Sequence, residues 1–145
     1  MRLVLQRVSR AAVSVDGETV GAIDRGLLVL VGVEQGDGAD EASRAASKVA
    51  GLRLFADENG AMNLDAAAVD GDFLVVSNFT LAASLAKGRR PSFVGSAPPE
   101  EAEPLIESFV ETLRSHGFAV PTGRFRAQME IDLVNDGPVT FVLEI

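Results

Sequence analysis

The sequence predicts a mixed α+β domain with about seven strands and two helices. Three observations favour this class: segments of alternating apolar and polar residues, one continuous apolar run over residues 27–33, and two segments with apolar residues at helical spacing. The 145 residues suit one domain, and 47% hydrophobic with 23% charged residues is an ordinary globular balance. No repeat, linker or shift of composition divides the chain, so residues 1–145 are treated as a single domain.

The N-terminal third of the chain is typical of paired strands. The first fifteen residues alternate as a half-buried strand does, and the alternation slips near Arg10, which indicates a bulge or bend. Asp16-Gly17 is a strong hairpin signal, and a second strand is expected over residues 19–23. Because residues 27–33 are apolar throughout, they predict a central strand that is buried on both faces.

The middle of the chain predicts a helix, a turn and another strand. The helix is predicted around residues 42–49, and Asp37 or Asp40 could cap its start. Residues 57–60 predict a turn, and a strand is expected over residues 73–77. Close packing of the helix on a sheet is expected because its apolar face is made of small residues, namely Ala42, Ala45, Ala46 and Val49.

A second helix is predicted over residues 99–115, followed by two strands. Proline and glutamates open this helix, Pro104 is a candidate kink, and Gly117 lies just beyond its end. Its apolar stripe is Leu105, Phe109 and Leu113. Strands are expected over residues 129–133 and 139–143, with residues 135–138 as the loop between them.

The amino-acid composition argues against several kinds of catalytic site. The chain has no cysteine, and its only histidine, His116, lies at the predicted end of the second helix, where a surface capping role is favoured. Catalytic triads and the usual zinc ligand sets are therefore improbable, and neither phosphate-binding nor dinucleotide-binding glycine patterns occur. We expect no metal and no cofactor. A hydrolase of this composition would have to rely on fixed main-chain N–H groups to stabilise an oxyanion.

Charge and hydropathy bear on partners and location. No segment is long and apolar enough to span a membrane, and arginines interrupt the N-terminal segment where a signal peptide would need an apolar stretch, so we expect a cytoplasmic protein with no membrane partner. The net charge of −8 by itself argues against nucleic acid. Residues 87–90 are nevertheless locally basic, either as a solvated loop or as a local patch for the end of an RNA.

Two short motifs stand out. Residues 77–81, Ser-Asn-Phe-Thr-Leu, follow a predicted strand and could present hydroxyls and backbone amides, although alone they also fit an ordinary strand terminus. Residues 135–140, Asn-Asp-Gly-Pro-Val-Thr, predict a rigid and specifically shaped turn.

Together these motifs resemble those of the D-aminoacyl-tRNA deacylase family. The resemblance extends to residues 1–8, 27–34, 55–63, 87–93, 97–99 and 122–125, in the family's order and at similar spacing. It implies a layered, barrel-like β-sheet domain with two helices packed on one side. It also implies a homodimer that binds the acceptor 3′ end of aminoacyl-tRNA and hydrolyses the ester of D-aminoacyl-tRNA and of mischarged glycyl-tRNA.

The resemblance also assigns roles to residues. A cis Gly137-Pro138 pair is expected to enter the partner subunit's pocket and reject L-amino acids. Substrate-pocket and catalytic positions are Ser77, Asn78, Phe79 and Thr80, with main-chain atoms and the terminal ribose 2′-hydroxyl favoured over the Thr80 hydroxyl as the working groups. Supporting positions are Arg7, Phe125, Met129 and Asn135, and expected tRNA contacts are Lys87, Arg89 and Arg90.

Two positions depart from the family pattern. The family usually has Gln where this chain has Asn78, which is shorter by roughly 1.5 Å, and commonly has Gly at the position of Arg126. The Asn78 change keeps two alternatives open: a dimer that binds tRNA ends without hydrolysis, and a deacylase with relaxed chirality.

Overall fold

A computed structural model describes all 145 residues of the chain. It contains seven strands, two α-helices and two short 3-10 helices, at residues Ala67–Val69 and Phe79–Ala82. The strands are β1 (Arg2–Val15), β2 (Glu18–Ile23), β3 (Gly26–Gly32), β4 (Phe55–Ala56), β5 (Met62–Leu64), β6 (Asp72–Ser77) and β7 (Glu130–Glu144), and the helices are α1 (Ala39–Ala50) and α2 (Pro99–Ser115).

The long strand β1 organises the main sheet. It pairs antiparallel with β3 along its first half, with β2 along its second half, and with β7 along nearly its whole length. Strand β6 extends the sheet by pairing parallel to β3, while β4 and β5 form a separate small ribbon. The pairing of β1 with β7 shifts register on both sides of Val8, which confirms the predicted irregularity close to Arg10 and bends the sheet into a half-barrel.

The predicted hairpin at the end of β1 is confirmed. Asp16 and Gly17 both have positive φ, 51° and 80°, which is the conformation of a type I′ turn. This turn matches the right-handed twist of the two strands that it joins, and Val15 pairs with Glu18 directly across it.

The sheet has an apolar core on each face. Alternate residues of β3 and β6 point toward the helices, where Val29, Phe73 and Phe109 are fully buried. The intervening residues, such as Leu28 and Leu74, point into the hollow of the half-barrel. Both helices lie on the first face, which confirms the predicted α+β class with helices on one side. Neither helix is long and apolar enough to cross a bilayer.

The boundaries of α2 agree with the predicted residues 99–115, but the cap predicted for α1 is wrong. The N-cap of α1 is Gly38, whose N–H donates to the Glu41 carboxylate at 3.0 Å. Asp37 instead accepts hydrogen bonds from the Glu34 N–H and the Met1 ammonium, both at 2.7 Å. Its carboxylate therefore faces backward, toward the start of β1 and the end of β3, and is not free to cap the helix.

Helix α2 begins at Pro99 and continues unbroken through Pro104. Pro99 is tolerated because the first turn's N–H groups have no intrahelical acceptor, whereas Pro104 is the sixth residue of the helix and leaves the Glu100 carbonyl without its i+4 donor. His116 is the C-cap residue and is exposed, at the place where the sequence predicts it.

The two predicted C-terminal strands are one strand, and this is the clearest correction to the sequence-based topology. Strand β7 runs without interruption from Glu130 to Glu144, and residues 135–138 form an irregular step within it rather than a connecting loop. The physical reason is the length of β1. A bent partner of 14 residues offers ladder hydrogen bonds on both sides of the step, so the chain resumes pairing in the same direction after Pro138.

Candidate active site

A cavity of about 880 Å³ lies where the parallel strands β3 and β6 end. One wall is α2, another is the segment 125–129 that leads into β7, and the floor is the strand ends. Twelve of its 18 lining residues are hydrophobic, which suits a pocket with a few placed polar groups. The sequence-predicted residues that the cavity brings together are Ser77, Asn78, Phe79, Thr80, Phe125 and Met129.

The polypeptide after β6 is held close to the end of β3. The Asn78 N–H donates to the Val31 carbonyl at 2.8 Å, and the chain then turns into the 3-10 helix Phe79–Ala82. Gly32 permits this approach, because a Cβ there would lie 2.9 Å from the Leu81 Cβ and 3.0 Å from the Asn78 oxygen. Sequence reasoning missed Gly32, although a glycine inside a buried strand is a known signal of close backbone contact.

The start of this 3-10 helix leaves two adjacent N–H groups without acceptors. Neither the Phe79 nor the Thr80 backbone N–H donates to any backbone or side-chain oxygen of the chain. Both residues line the cavity. First-turn donors have no partner within their own helix, and two of them side by side can receive the oxygen of a bound carbonyl.

The Thr80 hydroxyl is occupied by a neighbouring amide. It donates to the Asn78 Oδ1 at 2.5 Å. A carboxamide oxygen accepts a hydrogen bond but is too weak a base to remove a hydroxyl proton. This contact therefore orients the Thr80 hydroxyl without activating it as a nucleophile. The carboxamide oxygen of Asn78 is engaged within its own chain.

Only one ionisable side chain lines the cavity, and it is Arg126. Its backbone is left-handed, with φ 63°, a conformation that costs a non-glycine residue roughly 1–2 kcal/mol. Glycine, which the resemblance implies at this position, would be unstrained in this conformation. Other lining residues that sequence reasoning did not single out as pocket residues include Ile106 of α2 and Gln128, because helix and loop spacing do not reveal which residues face a cavity.

Gly137 and Pro138, within the irregular step at residues 135–138, lie apart from this cavity. Both residues are exposed, neither lines the cavity, and the peptide bond between them is cis. A side chain of β7 bridges the step: Asn135 donates from Nδ2 to the Val139 carbonyl at 3.0 Å and accepts from the Val139 N–H at 2.9 Å.

Arg7 holds the same step from the side of β1. Its Nε donates to the Asp136 carbonyl at 3.0 Å and lies 3.3 Å from the Asp136 carboxylate. Its Nη1 donates to the Leu54 carbonyl at 2.7 Å, and only 13% of the side chain is exposed. Arg7 and Asn135 are thus neighbours of the Gly137-Pro138 step rather than of the cavity in their own chain.

The three predicted RNA-contacting cations share one exposed hairpin. Ser84 and Ser92 close it with two backbone hydrogen bonds of 2.8 and 2.9 Å, and its tip turns at Gly88. We call residues 84–92 the basic hairpin. None of its cations forms a salt bridge, and all are exposed, namely Lys87, Arg89 and Arg90.

The fold and cavity define a class: a half-barrel α+β fold whose pocket presents free main-chain N–H groups, hydroxyls and carboxamides at the ends of parallel strands. Within that class, residues 4–144 match the family model described as D-Tyr-tRNA(Tyr) deacylase. The chain belongs to this family.

Curated relatives agree in sequence over their full length. The chain is 58% identical to a D-aminoacyl-tRNA deacylase of Geobacter metallireducens, over 99% of this chain and 95% of the relative. It is 54% identical to a D-aminoacyl-tRNA deacylase of Shewanella amazonensis, over 100% of both chains.

Solved structures agree in fold. A structure described as c-Myc DNA Unwinding Element Binding Protein superposes with a TM-score of 0.93 at 39% identity, covering 100% of this chain and 99% of the other. A probable eukaryotic D-amino acid tRNA deacylase superposes with a TM-score of 0.84 at 16% identity, covering 99% and 98%. The second likeness is one of fold alone.

Proposed function

We propose that the chain acts as a homodimer that hydrolyses the ester of D-aminoacyl-tRNA and glycyl-tRNA with main-chain groups as its principal catalytic elements. The deacylase activity itself follows from membership of the family and from relatives that are more than 50% identical over the whole chain. The observation that carries the proposed mechanism is the pair of unpartnered N–H groups at Phe79 and Thr80 in a cavity without a side-chain base.

In this mechanism the ester carbonyl oxygen accepts hydrogen bonds from the Phe79 and Thr80 N–H groups. Water attacks the carbonyl carbon, and the negative charge that develops on the oxygen is stabilised by these two donors. The tetrahedral intermediate then collapses: the bond from the carbonyl carbon to the ribose 3′-oxygen breaks, and that oxygen takes up the proton lost by the water, which releases the amino acid and the tRNA. An ester that is already activated needs less assistance than an amide does. The 2′-hydroxyl of the terminal ribose is the group best placed to relay the proton, since no carboxylate or imidazole lines the cavity.

Chirality is selected by a backbone wall. If the pocket anchors the amino group and the carbonyl, the Cα hydrogen and the side chain exchange directions between D and L isomers. A wall made of Gly137 and Pro138 presents the same main-chain atoms to every L side chain, whatever its identity. A clash of about 4 kcal/mol would discriminate roughly a thousandfold. Glycine has no side chain to reject and is hydrolysed.

The wall has to come from a second copy of the chain, because Gly137 and Pro138 do not line the cavity of their own chain. The strand that bears them supports this arrangement. Strand β7 pairs only with β1, so its outer edge is free, and its exposed apolar side chains include Val134, Phe141 and Val142. A long free edge with exposed apolar residues is a favourable surface for association.

The first test compares three esters on one tRNA at catalytic enzyme concentration: a D-aminoacyl ester, its L counterpart and the glycyl ester. We expect the D and glycyl esters to be lost at least a thousandfold faster than the L ester. Release of radiolabelled amino acid measures the rates. Comparable loss of all three esters would mean that the wall is relaxed, and loss of none would contradict the proposed activity.

The basic hairpin is proposed to contact the phosphates of the tRNA acceptor end. Its three unpaired cations are the local exception in a chain of net charge −8. A protein that grips only the end of an RNA needs such a patch and not a basic surface overall. Since aminoacyl-tRNA is a cytoplasmic substrate, we propose the cytoplasm as the place of action.

Removing these cations should lower the affinity for tRNA and also make that affinity less dependent on salt concentration. For a variant with Lys87, Arg89 and Arg90 all changed to Ala, the slope of log affinity against log salt should fall by about 2, the value for three contacts to a single strand. Filter binding over a salt series measures it. The matched control removes three exposed cations elsewhere, Arg44, Lys48 and Arg53, and equal slopes in the two triple variants would exclude the hairpin as the contact.

A further inference from the structure

We propose that Phe79 and Phe93 form a stacking surface for the single-stranded nucleotides that precede the terminal adenosine of the tRNA. This inference rests on the proposed function and extends the substrate contact beyond the cavity. It assigns an RNA-binding role to an exposed aromatic pair that the deacylation mechanism does not use.

The two rings are exposed although they are large and apolar. Their centroids lie 5.1 Å apart with an angle of 50° between the planes, and the residues are 60% and 42% exposed, respectively. Leu85 and Val94, which are 76% and 78% exposed, lie nearby in the chain on the same connection between the 3-10 helix and α2. Phe79 and Phe93 thus form an exposed apolar pair in direct contact, which is a feature of binding surfaces.

The position of the pair gives the direction of the bound strand. Phe79 lines the cavity, whereas Phe93 and the cations of the basic hairpin do not. Ser96 fixes Phe79 by donating from Oγ to its carbonyl oxygen at 3.2 Å. The pair therefore connects the cavity, which would hold the aminoacyl ester and its terminal nucleoside, to the basic hairpin, because Phe79 lines the cavity and Phe93 directly follows Ser92 at the base of the hairpin.

The chemistry of this surface fits single-stranded RNA better than another protein face. Base stacking on exposed aromatic rings is sequence-tolerant, and it is combined with cationic groups that follow the backbone in proteins that bind single strands. Here the rings and three cations without salt-bridge partners belong to residues 79–93. An interface that paired this surface with the same surface of a second copy would bring these like charges together, which is unfavourable.

The first experiment varies the length of the substrate. The wild-type protein and Phe93→Leu are compared on a D-aminoacyl-adenosine, which ends at the terminal nucleoside, and on the full D-aminoacyl-tRNA. Leucine keeps the apolar contact with Phe79 but has no aromatic face. We expect kcat/KM for the full tRNA to fall about tenfold, as loss of one stacked base predicts, and kcat/KM for the short substrate to stay at the wild-type value. Phe93→Tyr should restore the full-length rate.

A second experiment detects stacking directly. The chain contains no Trp and no Tyr, so Phe93→Trp introduces a single indole. Titration with an oligoribonucleotide that ends in cytidine-cytidine-adenosine and carries no amino acid should quench the fluorescence of this indole. Met62→Trp is the matched control, because Met62 is 49% exposed on the separate β4–β5 ribbon, and its indole should not be quenched.

The outcomes separate this inference from the proposed function. Equal loss of rate on both substrates, or no quenching with Phe93→Trp, overturns the stacking surface while leaving deacylation intact. Dissociation of the dimer by Phe93→Leu, measured by light scattering, also overturns it and makes the pair a contact between copies. If the wild-type protein hydrolyses neither substrate, the proposed function fails, whereas quenching specific to the Phe93 position would still support the surface.

Discussion

Replacing Phe79 by Pro should lower kcat for D-aminoacyl ester hydrolysis by about 10²- to 10³-fold, the usual cost of losing one oxyanion donor. The substitution removes an N–H that donates to nothing in the chain, so no internal hydrogen bond is lost. The preceding residue, Asn78, has φ −145° and ψ 88°, which lies outside the α region that a residue before proline avoids. Proline is also accepted at the first position of a helical turn.

The comparison that isolates the N–H group is Phe79→Ala, which removes the same ring and keeps the donor. Single-turnover rates on a D-aminoacyl-adenosine separate chemistry from tRNA binding, and circular dichroism checks that both variants melt within a few degrees of the wild-type protein. We expect kcat for the proline variant to lie at least about a hundredfold below that for the alanine variant. Equal rates would show that main-chain donation from this position is not part of the mechanism.

Gly137→Ala should produce the second large effect, a fall of about 10- to 100-fold in D-ester hydrolysis together with a smaller D-to-L ratio. Gly137 has φ 146°, a conformation that L side chains rarely adopt, and a Cβ there would lie 2.6 Å from Cγ2 and 2.8 Å from N of Val139. The backbone must shift to relieve this clash and would carry Pro138 with it. A displacement of about 1 Å in a substrate-positioning group can cost about a hundredfold in rate.

Gly51→Ala is the matched control, because the nearest atom to its added Cβ is 3.8 Å away and its φ is −95°. The measurements are initial rates on D and L esters and the melting temperature of each variant. Unchanged rates and an unchanged D-to-L ratio in Gly137→Ala would remove the proposed wall from the mechanism.

The cross-subunit arrangement can be tested with mixed dimers of the two variants. In a mixed population, a hybrid of Phe79→Pro and Gly137→Ala subunits contains one cavity with intact donors that faces an intact wall. Refolding the two variants together should therefore recover activity that neither variant has alone. Recovery is expected only if the wall and the cavity come from different chains, so its absence would favour a wall within one subunit.

Sequence patterns predicted the local elements well because those elements depend on short-range properties. Apolar periodicity predicted β3, β6 and both helices. The Asp16-Gly17 pair correctly predicted the hairpin turn, because Asp and Gly both tolerate the positive φ that the turn requires. Short motifs in a shared order led to the family, which comparison with relatives then established.

The patterns failed where a residue's state depends on distant parts of the chain. Asp37 does not cap α1 because its carboxylate is taken by the Met1 ammonium, a partner 36 residues away. The step at residues 135–138 resembled a loop because Gly and Pro interrupt a strand pattern, yet β1 continues to pair on both sides of it. Neither partner can be read from a local window of sequence.

By itself, then, the sequence determined the class of fold, the order of its elements, the family and the short segments that contain the predicted site residues. Only the tertiary structure decided how those segments are distributed: residues 77–80 and the segment 125–129 meet in one cavity, whereas Gly137 and Pro138, held by Arg7 and Asn135, lie outside it. The reason is that a cavity and a free N–H group are properties of packing. They exist only after Gly32 allows the chain beyond β6 to fold tightly across the end of β3.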